Sequence, residues 1–501
     1  MKTGLTVTLL AATACAHRMP PEPTRSTPPA ASPLTARLDT LVTRFASLNV
    51  APGLGVVLVR DTQVIYLRGT GYADAERRVP FTAQTEFYIA STTKSFTGLA
   101  AAVLAQRGVW NLDAPLSRYL PEVRLKAPLD PDSISIRSLL THTHGVGGGP
   151  VDTRLAFTGE YDGNAELVRL LAEHPANATG RAYSYGNIGY NIATLAMDAV
   201  TRRSWKDVLQ DELFTPAGLK HTTAYISRVP QASIAVPYRA TPAGFAPTHQ
   251  GKTDANMQSA GGLVTTLSDM GRWLELHLND GRLDGRQVVP AAAVREAHRL
   301  LVPAPARGGP WKQIGYGLGW QIALLGDDTL LVHGGGFQGY ATHMSFLPRA
   351  RVGVAVMANN AEIGGGGVEL LASAIYDVVA GKPVLSEDSI AALRSRVQSG
   401  RERLAAELAR RAARPQALPY PLSAYVGRYR NPSLGTVEIL ESAGKLEARF
   451  GAAWSAVETY DASANQLRVE PFGSGEVVTV AMENGRAASL RMGAMTFTRV
   501  P

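Results

Sequence analysis

Between residues 38 and 382 the apolar positions change their spacing in a definite order. Short runs rich in Val, Leu and Ile at 54–59 and 63–67 come first, then long stretches with apolar residues three and four apart. Short runs return at 330–332, 342–347 and 352–358, separated by turn-forming Gly, Pro and Arg residues. This order predicts an α+β unit in which the first and last strands share one sheet with the helices packed around it. The glycine run 364–367 reads as a loop. From near Ser386, Ile390, Leu393, Val397, Leu404 and Leu408 form one stripe with arginines elsewhere, which predicts a helix linking two domains over 383–418. Beyond Pro415, Pro419 and Pro421 the runs shorten (437–440, 446–450, 467–469, 477–480, 495–498) and are punctuated by Gly435, Gly444 and Asn484-Gly485. Residues 419–501 therefore read as a small antiparallel β-barrel or meander.

Composition adds bounds. A chain of 501 residues exceeds what one core usually supports, and 45% hydrophobic with 18% charged residues is ordinary for a folded protein. The net charge of +8 is dispersed, without the basic runs that grip phosphates, so nucleic acid is not an expected partner. Such a surface attracts acidic cell-envelope polymers without specifying one. The amino terminus reads as an export signal over 1–15: Lys2, then an apolar core at 4–14 that is too short to span a bilayer. Cys15, the sole cysteine, ends that core, and Ala12-Thr13-Ala14-Cys15 resembles a bacterial lipoprotein processing site, with Ala12 where leucine is usual. The resemblance implies lipidation of Cys15 and a membrane-anchored protein of the periplasm or cell envelope; an ordinary cleaved signal is the alternative. Residues 16–37, rich in proline, read as a tether. The mature chain would hold no disulfide and no thiol nucleophile.

The chemistry begins at Ser91-Thr92-Thr93-Lys94, ahead of an Ala/Leu-rich stretch at 95–106. If a helix starts there, Lys94 falls one turn from Ser91 on the same face. A lysine made partly neutral by burial can take the serine proton, and the helix terminus offers free N–H groups to a reacting carbonyl. Alone the motif is weak, since Ser442-Ala443-Gly444-Lys445 repeats it in the carboxy-terminal β region. Likewise Tyr185-Gly186-Asn187 has a twin in Tyr429-Arg430-Asn431. Only the first copies occur in order with a third element, His333-Gly334-Gly335-Gly336, at the end of a predicted strand. His142-Thr143-His144 has no acidic companion and makes a poor metal site, so no metal or other cofactor is expected and His142 reads as a structural hydrogen-bonder. No Gly-x-Ser-x-Gly elbow or His-Glu-x-x-His helix occurs, which argues against an α/β-hydrolase or a zinc peptidase.

In this ordered set the chain resembles the serine β-lactamase and penicillin-binding protein superfamily, in the branch of class C β-lactamases, DD-peptidases, D-aminopeptidases and esterases. The likeness runs over about residues 45–380 and includes Pro52-Gly53, TEFYIASTTK at 85–94, LLTHTHG at 139–145, Gly261-Gly262 and YGLGW at 316–320. Residues 425–429 (YVGRY) open a segment similar to the lipocalin-like domain appended to such hydrolases. The resemblance implies a β-lactamase/transpeptidase-like fold with Ser91 as the acylated nucleophile and Lys94 and Tyr185 as coupled proton carriers, neither singled out as the base. It implies that Asn187, His333, Gly334 and Gly335 contact substrate and that the N–H groups of Ser91 and Gly336 form the oxyanion hole. His333 stands where many relatives carry a lysine that holds a substrate carboxylate, and a neutral imidazole followed by glycine attracts a carboxylate less. The expected activity is acyl-enzyme hydrolysis of a small ester or peptide, as an esterase, D-amino-acid peptidase or DD-carboxypeptidase. The alternatives are a β-lactamase or a non-catalytic protein binding peptidoglycan fragments; oligomeric state is left open.

Overall fold

The computed structural model describes residues 32–249, 251–415 and 417–501. The export signal, Cys15 and most of the tether lie outside the described residues. The last six tether positions do not: Ser32 caps a helix α1 (Pro33–Ala46), accepting from Thr35 N at 3.2 Å, with Pro33 at its first position. Proline composition argues for an extended tether, yet proline is well suited to the first helical turn, where its missing N–H has no partner to lose.

The main sheet contains β1 (Gly53–Arg60), β2 (Gln63–Asp74), β3 (Val79–Pro80), β4 (Val302–Pro303), β5 (Lys312–Tyr316), β6 (Gln321–Leu325), β7 (Asp328–Phe337), β8 (Tyr340–Leu347) and β9 (Val352–Ala358), in the order 4-5-6-7-8-9-1-2-3. The first long strand and the last pair directly, from Leu54 opposite Ala358 to Arg60 opposite Val352. Both faces are buried, which explains why these strands read as continuous apolar runs rather than as alternating ones. Val57 and Val59 point to one core with Phe96 and Leu99 of helix α2 (Thr93–Gln106), with α3 (Ile188–Thr201), and with Met270 and Trp273 of α4 (Leu267–Leu278). Leu54, Val56 and Leu58 point to the other, with Leu41 and Phe45 of α1 and Leu371 and Ile375 of α5 (Gly364–Val379).

The glycines 364–367 are not a loop; they form the first turn of α5. Glycine is a poor helix former, but here Asn360 Oδ1 accepts from the N–H groups of Ile363 and Gly364, and Gly367 lies against the Phe45 ring. Capping and close packing outweigh propensity. Helix α6 (Glu387–Ala412), capped by Ser386, carries one buried arginine, Arg401, which donates to the carbonyls of Thr241, Gly244 and Asn49.

The carboxy-terminal unit comprises β10 (Gly427–Asn431), β11 (Gly435–Ser442), β12 (Lys445–Phe450), β13 (Ala453–Ala456), β14 (Glu458–Asp461), β15 (Gln466–Val469), β16 (Glu476–Glu483), β17 (Arg486–Met492) and β18 (Met495–Val500). Their order is 13-12-11-10-18-17-16-15-14, and because the two end strands are consecutive in the chain the sheet curls into a nearly closed antiparallel barrel. It docks beside the end of β7. Arg154 Nε donates to Ser433 O at 2.8 Å, Thr436 N donates to Glu160 Oε2 at 2.8 Å, and the Phe157 ring lies between those of Phe337 and Phe472.

Candidate active site

The chain reaches Ser91 through a strained corner. Ala90 has φ +46°, a left-handed backbone that L-residues rarely adopt, and it opens a tight 3-10 turn, Ala90–Thr92, that runs into α2. Such strain persists only where the surroundings over-determine it. Here the Ile89 carbonyl accepts from Thr92 Oγ1 at 2.8 Å and from Thr342 Oγ1 at 2.9 Å, while Ile89 N donates to Leu263 O. The helix starts two residues later than the spacing suggests, yet Lys94 still returns to the side of Ser91.

Lys94 is fully buried, with Ser91 Oγ 3.1 Å, Asn187 Oδ1 2.9 Å and Ala260 O 2.8 Å from its Nζ. Burial lowers its pKa from 10.5 to about 7, against an opposing pull from the Asp152 charge. A neutral amine has two N–H bonds and one lone pair. The two carbonyl oxygens use the two N–H bonds and leave the lone pair for the Ser91 hydroxyl. That geometry is what a proton acceptor for Ser91 requires.

Tyr185 sits on the loop before α3, is 40% exposed, and has Lys94 Nζ 4.9 Å from its ring centroid. Desolvation of its hydroxyl raises the phenol to about 12, partly offset by hydrogen bonding with Ser91. His142 holds this loop. Its carbonyl accepts from Ser184 N at 2.9 Å, its Nδ1 accepts from Gly186 N at 3.4 Å, and its ring lies 4.7 Å from those of Tyr185 and Tyr316. Asn187 leads into α3 with its amide oxygen on Lys94.

The residues 333–336 lie within β7 itself, paired with β8 from His333 opposite Met344 to Gly336 opposite Ala341. A Cβ on Gly335 would stand 2.2 Å from Ile89 O and 3.2 Å from Ser91 N, so glycine is what lets this strand approach the Ser91 turn. The hairpin closes at Phe337 opposite Tyr340 with two residues between. In such a hairpin the closing pair exchanges both hydrogen bonds, so the next pair, Gly336 with Ala341, turns its N–H groups outward. The Gly336 N–H therefore faces the open edge of β7, near the free first-turn N–H of Ser91.

His333 is committed elsewhere. Its Nδ1 donates to Gly334 O at 2.7 Å and its Nε2 accepts from the Tyr316 hydroxyl at 3.1 Å. Burial, with the Lys94 charge, lowers its pKa to about 3. With both ring nitrogens engaged and no charge, it does not offer a donor to a ligand carboxylate, and the substrate contact implied by its motif position becomes a strut between β7 and β5.

Motif reading missed three participants. Ala260, which accepts from Lys94, has only its backbone to offer. Asp152, raised to about 7 by desolvation and hydrogen-bonded to Asn191 at 3.1 Å, bears electrostatically on Lys94 yet follows LLTHTHG without a local signal. Tyr190, whose ring centroid is 5.6 Å from Lys94 Nζ and whose hydroxyl donates to Leu140 O at 2.9 Å, was marked by no motif. His142 and His144 do not converge on a metal: among the described residues no group of three or more His, Cys, Asp or Glu is placed to hold one.

Comparison with known proteins agrees with this architecture. The Beta-lactamase family matches residues 38–372. A Staphylococcus aureus protein, "Protein flp", is 25% identical over 326 residues, 64% of this chain and 62% of that protein. A D-aminopeptidase of Gluconobacter oxydans is 27% identical over 65% of this chain and 59% of the relative. The chain thus spans about three fifths of the curated relatives it matches. The octameric penicillin-binding protein homologue from Pyrococcus abyssi superposes with a TM-score of 0.59 at 19% identity, covering 93% of this chain and 99% of that one, a likeness of fold that takes in the barrel. The chain belongs to the Beta-lactamase family, within the serine β-lactamase and penicillin-binding protein superfamily.

Proposed function

We propose that the protein hydrolyses small ester or amide substrates, as an esterase or D-amino-acid peptidase, through an acyl-enzyme on Ser91. The observation that carries this reading is the fully buried Lys94 amine, its pKa lowered to about 7, standing 3.1 Å from the Ser91 hydroxyl. Ser91 Oγ attacks the substrate carbonyl as its proton passes to Lys94 Nζ. The resulting oxyanion is held by the N–H groups of Ser91 and Gly336, each such donor contributing roughly 3 kcal/mol. On collapse, the bond to the leaving group breaks as that group takes the Tyr185 proton, and Tyr185 regains one from the Lys94 ammonium. Water then attacks the acyl carbonyl in the reverse sense, releasing the acid and restoring Ser91. Asn187 holds Lys94 in place. The peptidase branch is supported by the likeness to the Gluconobacter D-aminopeptidase, and the uncharged His333 disfavours efficient β-lactam turnover.

A fluorophosphonate probe should label the protein, and Ser91→Ala should abolish both labelling and turnover. In a panel of p-nitrophenyl esters, D-alanyl peptides and a chromogenic cephalosporin, esters should turn over and the cephalosporin should react slowly or not at all. A folded protein that takes no label would refute the hydrolytic reading.

A further inference from the structure

The stretch of β7 beyond Val332, where pairing with β6 has stopped, meets different groups at its two ends. At the His333 end stands Tyr185, whose ring centroid is 6.0 Å from that of His333. On the hydrolase reading Tyr185 gives its proton to the departing fragment, so the leaving group lies toward His333. The acyl portion of a substrate held at Gly336 then lies toward Phe337, the last residue of the strand. That end carries a lysine. Lys252 Nζ is 3.8 Å from the centroid of the Phe337 ring and 5.1 Å from that of Tyr88, and it donates to Ala156 O at 2.7 Å. No carboxylate pairs with it among the described residues. Its loop is pinned from two sides: Asn256 Nδ2 donates to Gly251 O and Phe157 O at 2.7 Å each, and a Cβ on Gly251 would stand 3.1 Å from Ala452 O of the barrel. Tyr88 supplies a second donor. It is 1% exposed, and its hydroxyl has no hydrogen-bond partner among the described residues. A Cβ on Gly261 would stand 3.7 Å from that hydroxyl and 3.5 Å from the carbonyl carbon of Ala90, so the phenol reaches the turn that bears Ser91. A buried phenol without an acceptor, beside a desolvated amine with one, is costly until a ligand brings the missing oxygen.

We infer that Lys252 and Tyr88 form an acyl-side subsite, so that the preferred substrates carry a carboxylate on the acyl portion, as a dicarboxylic half-ester or half-amide does. The inference rests on the hydrolase reading above. The two donors suit an anion because an ammonium and a phenol together make charge-assisted hydrogen bonds to one carboxylate. The rings of Phe337 and Tyr88 give the methylenes between that carboxylate and the scissile carbonyl an apolar wall. Burial lowers the Lys252 pKa to about 7, and an anion seated beside the amine restores its charge.

The test compares p-nitrophenyl half-esters of adipic, pimelic and suberic acid, each with the ester in which a carboxamide replaces the free carboxylate. The members of a pair share a shape and differ in charge. At one length or more the wild-type protein should favour the acid by about tenfold or more in kcat/KM. In Lys252→Met that preference should vanish, and in Lys252→Glu it should invert. Both esters are measured on one preparation, so a partly folded variant does not alter their ratio. No preference at any length, or a preference kept in Lys252→Met, overturns the inference. Calorimetric titration of the three diacids into Ser91→Ala protein reads the subsite without turnover. Binding of the tightest diacid should weaken about tenfold or more when Lys252→Met is added, and about threefold when Tyr88→Phe is added instead. Equal binding in both double variants overturns the subsite even if every ester is inert. Inert esters together with binding that needs Lys252 would overturn the hydrolase reading and keep the subsite.

Discussion

The chain carries the Ser-x-x-Lys spacing twice, and the two copies have different fates. In the first, a 3-10 turn and α2 bring Lys94 back to Ser91 with its amine fully buried. In the second, Ser442 and Lys445 face each other across the β11–β12 hairpin, around Ala443 at φ +49° and Gly444 at φ +72°, with both side chains in solvent. The Tyr-x-Asn pair diverges in the same way. Tyr185 presents its hydroxyl to the cleft, whereas the Tyr429 hydroxyl donates to Tyr425 O at 2.6 Å and accepts from Arg499 at 2.8 Å. Asn187 serves Lys94, while Asn431 accepts from the N–H groups of Ser433 and Leu434 and closes a turn. Spacing alone therefore does not make a nucleophile. Desolvation does, by moving the amine toward the pKa at which it can accept a proton.

The comparison can be broken most severely at Lys94. Lys94→Ala should lower ester kcat by about 10²–10⁴-fold, measured by steady-state kinetics, because it removes the proton acceptor. The pH profile sharpens this. With Lys94 titrating at about 7, its acceptor form predominates above that value. Thus kcat/KM should rise with pH to a plateau beyond about 7. Asp152→Asn removes the charge that opposes the fall in Lys94 pKa, so the rising limb should move to lower pH. A limb that stays in place would separate Asp152 from the proton relay.

Gly335→Ala comes next. An added methyl meets Ile89 O and Thr342 Oγ1, forcing β7 away from the Ser91 turn. Displacement of about 1 Å at reacting groups can cost about 100-fold, so kcat should fall by about that factor while the barrel's own unfolding transition is unaltered. The smallest effect belongs to the second motif copy. Ser442→Ala with Lys445→Ala should leave labelling and turnover unchanged and shift stability by no more than about 0.5 kcal/mol in denaturant titration. Loss of activity there would erase the distinction between the copies.

Much of the architecture was legible because a sheet buried on both faces imposes continuous apolar runs, and the barrel imposes short ones between turns. The strand pairing of 54–59 with 352–358, the α6 helix from Ser386 and the change of class after residue 419 all follow from that patterning. The glycine turn at 364–367 was not legible, because its stability comes from Asn360 and Phe45, neither of which belongs to the run. Nor was the engagement of His333, which depends on Tyr316 across the sheet. Ala260 and Asp152 escaped for a similar reason: one acts through its carbonyl and the other through a charge whose importance lies in its distance from Lys94.

The sequence by itself determined the residue types, their order and the family, because an ordered set of motifs across some three hundred residues leaves few folds to choose from. Only the tertiary structure decided which of two identical spacings brings a buried lysine amine to a serine hydroxyl, and that His333 is neutral and occupied. Proton affinity and hydrogen-bond capacity depend on what surrounds a group in space, and those surroundings are assembled from segments far apart in the chain.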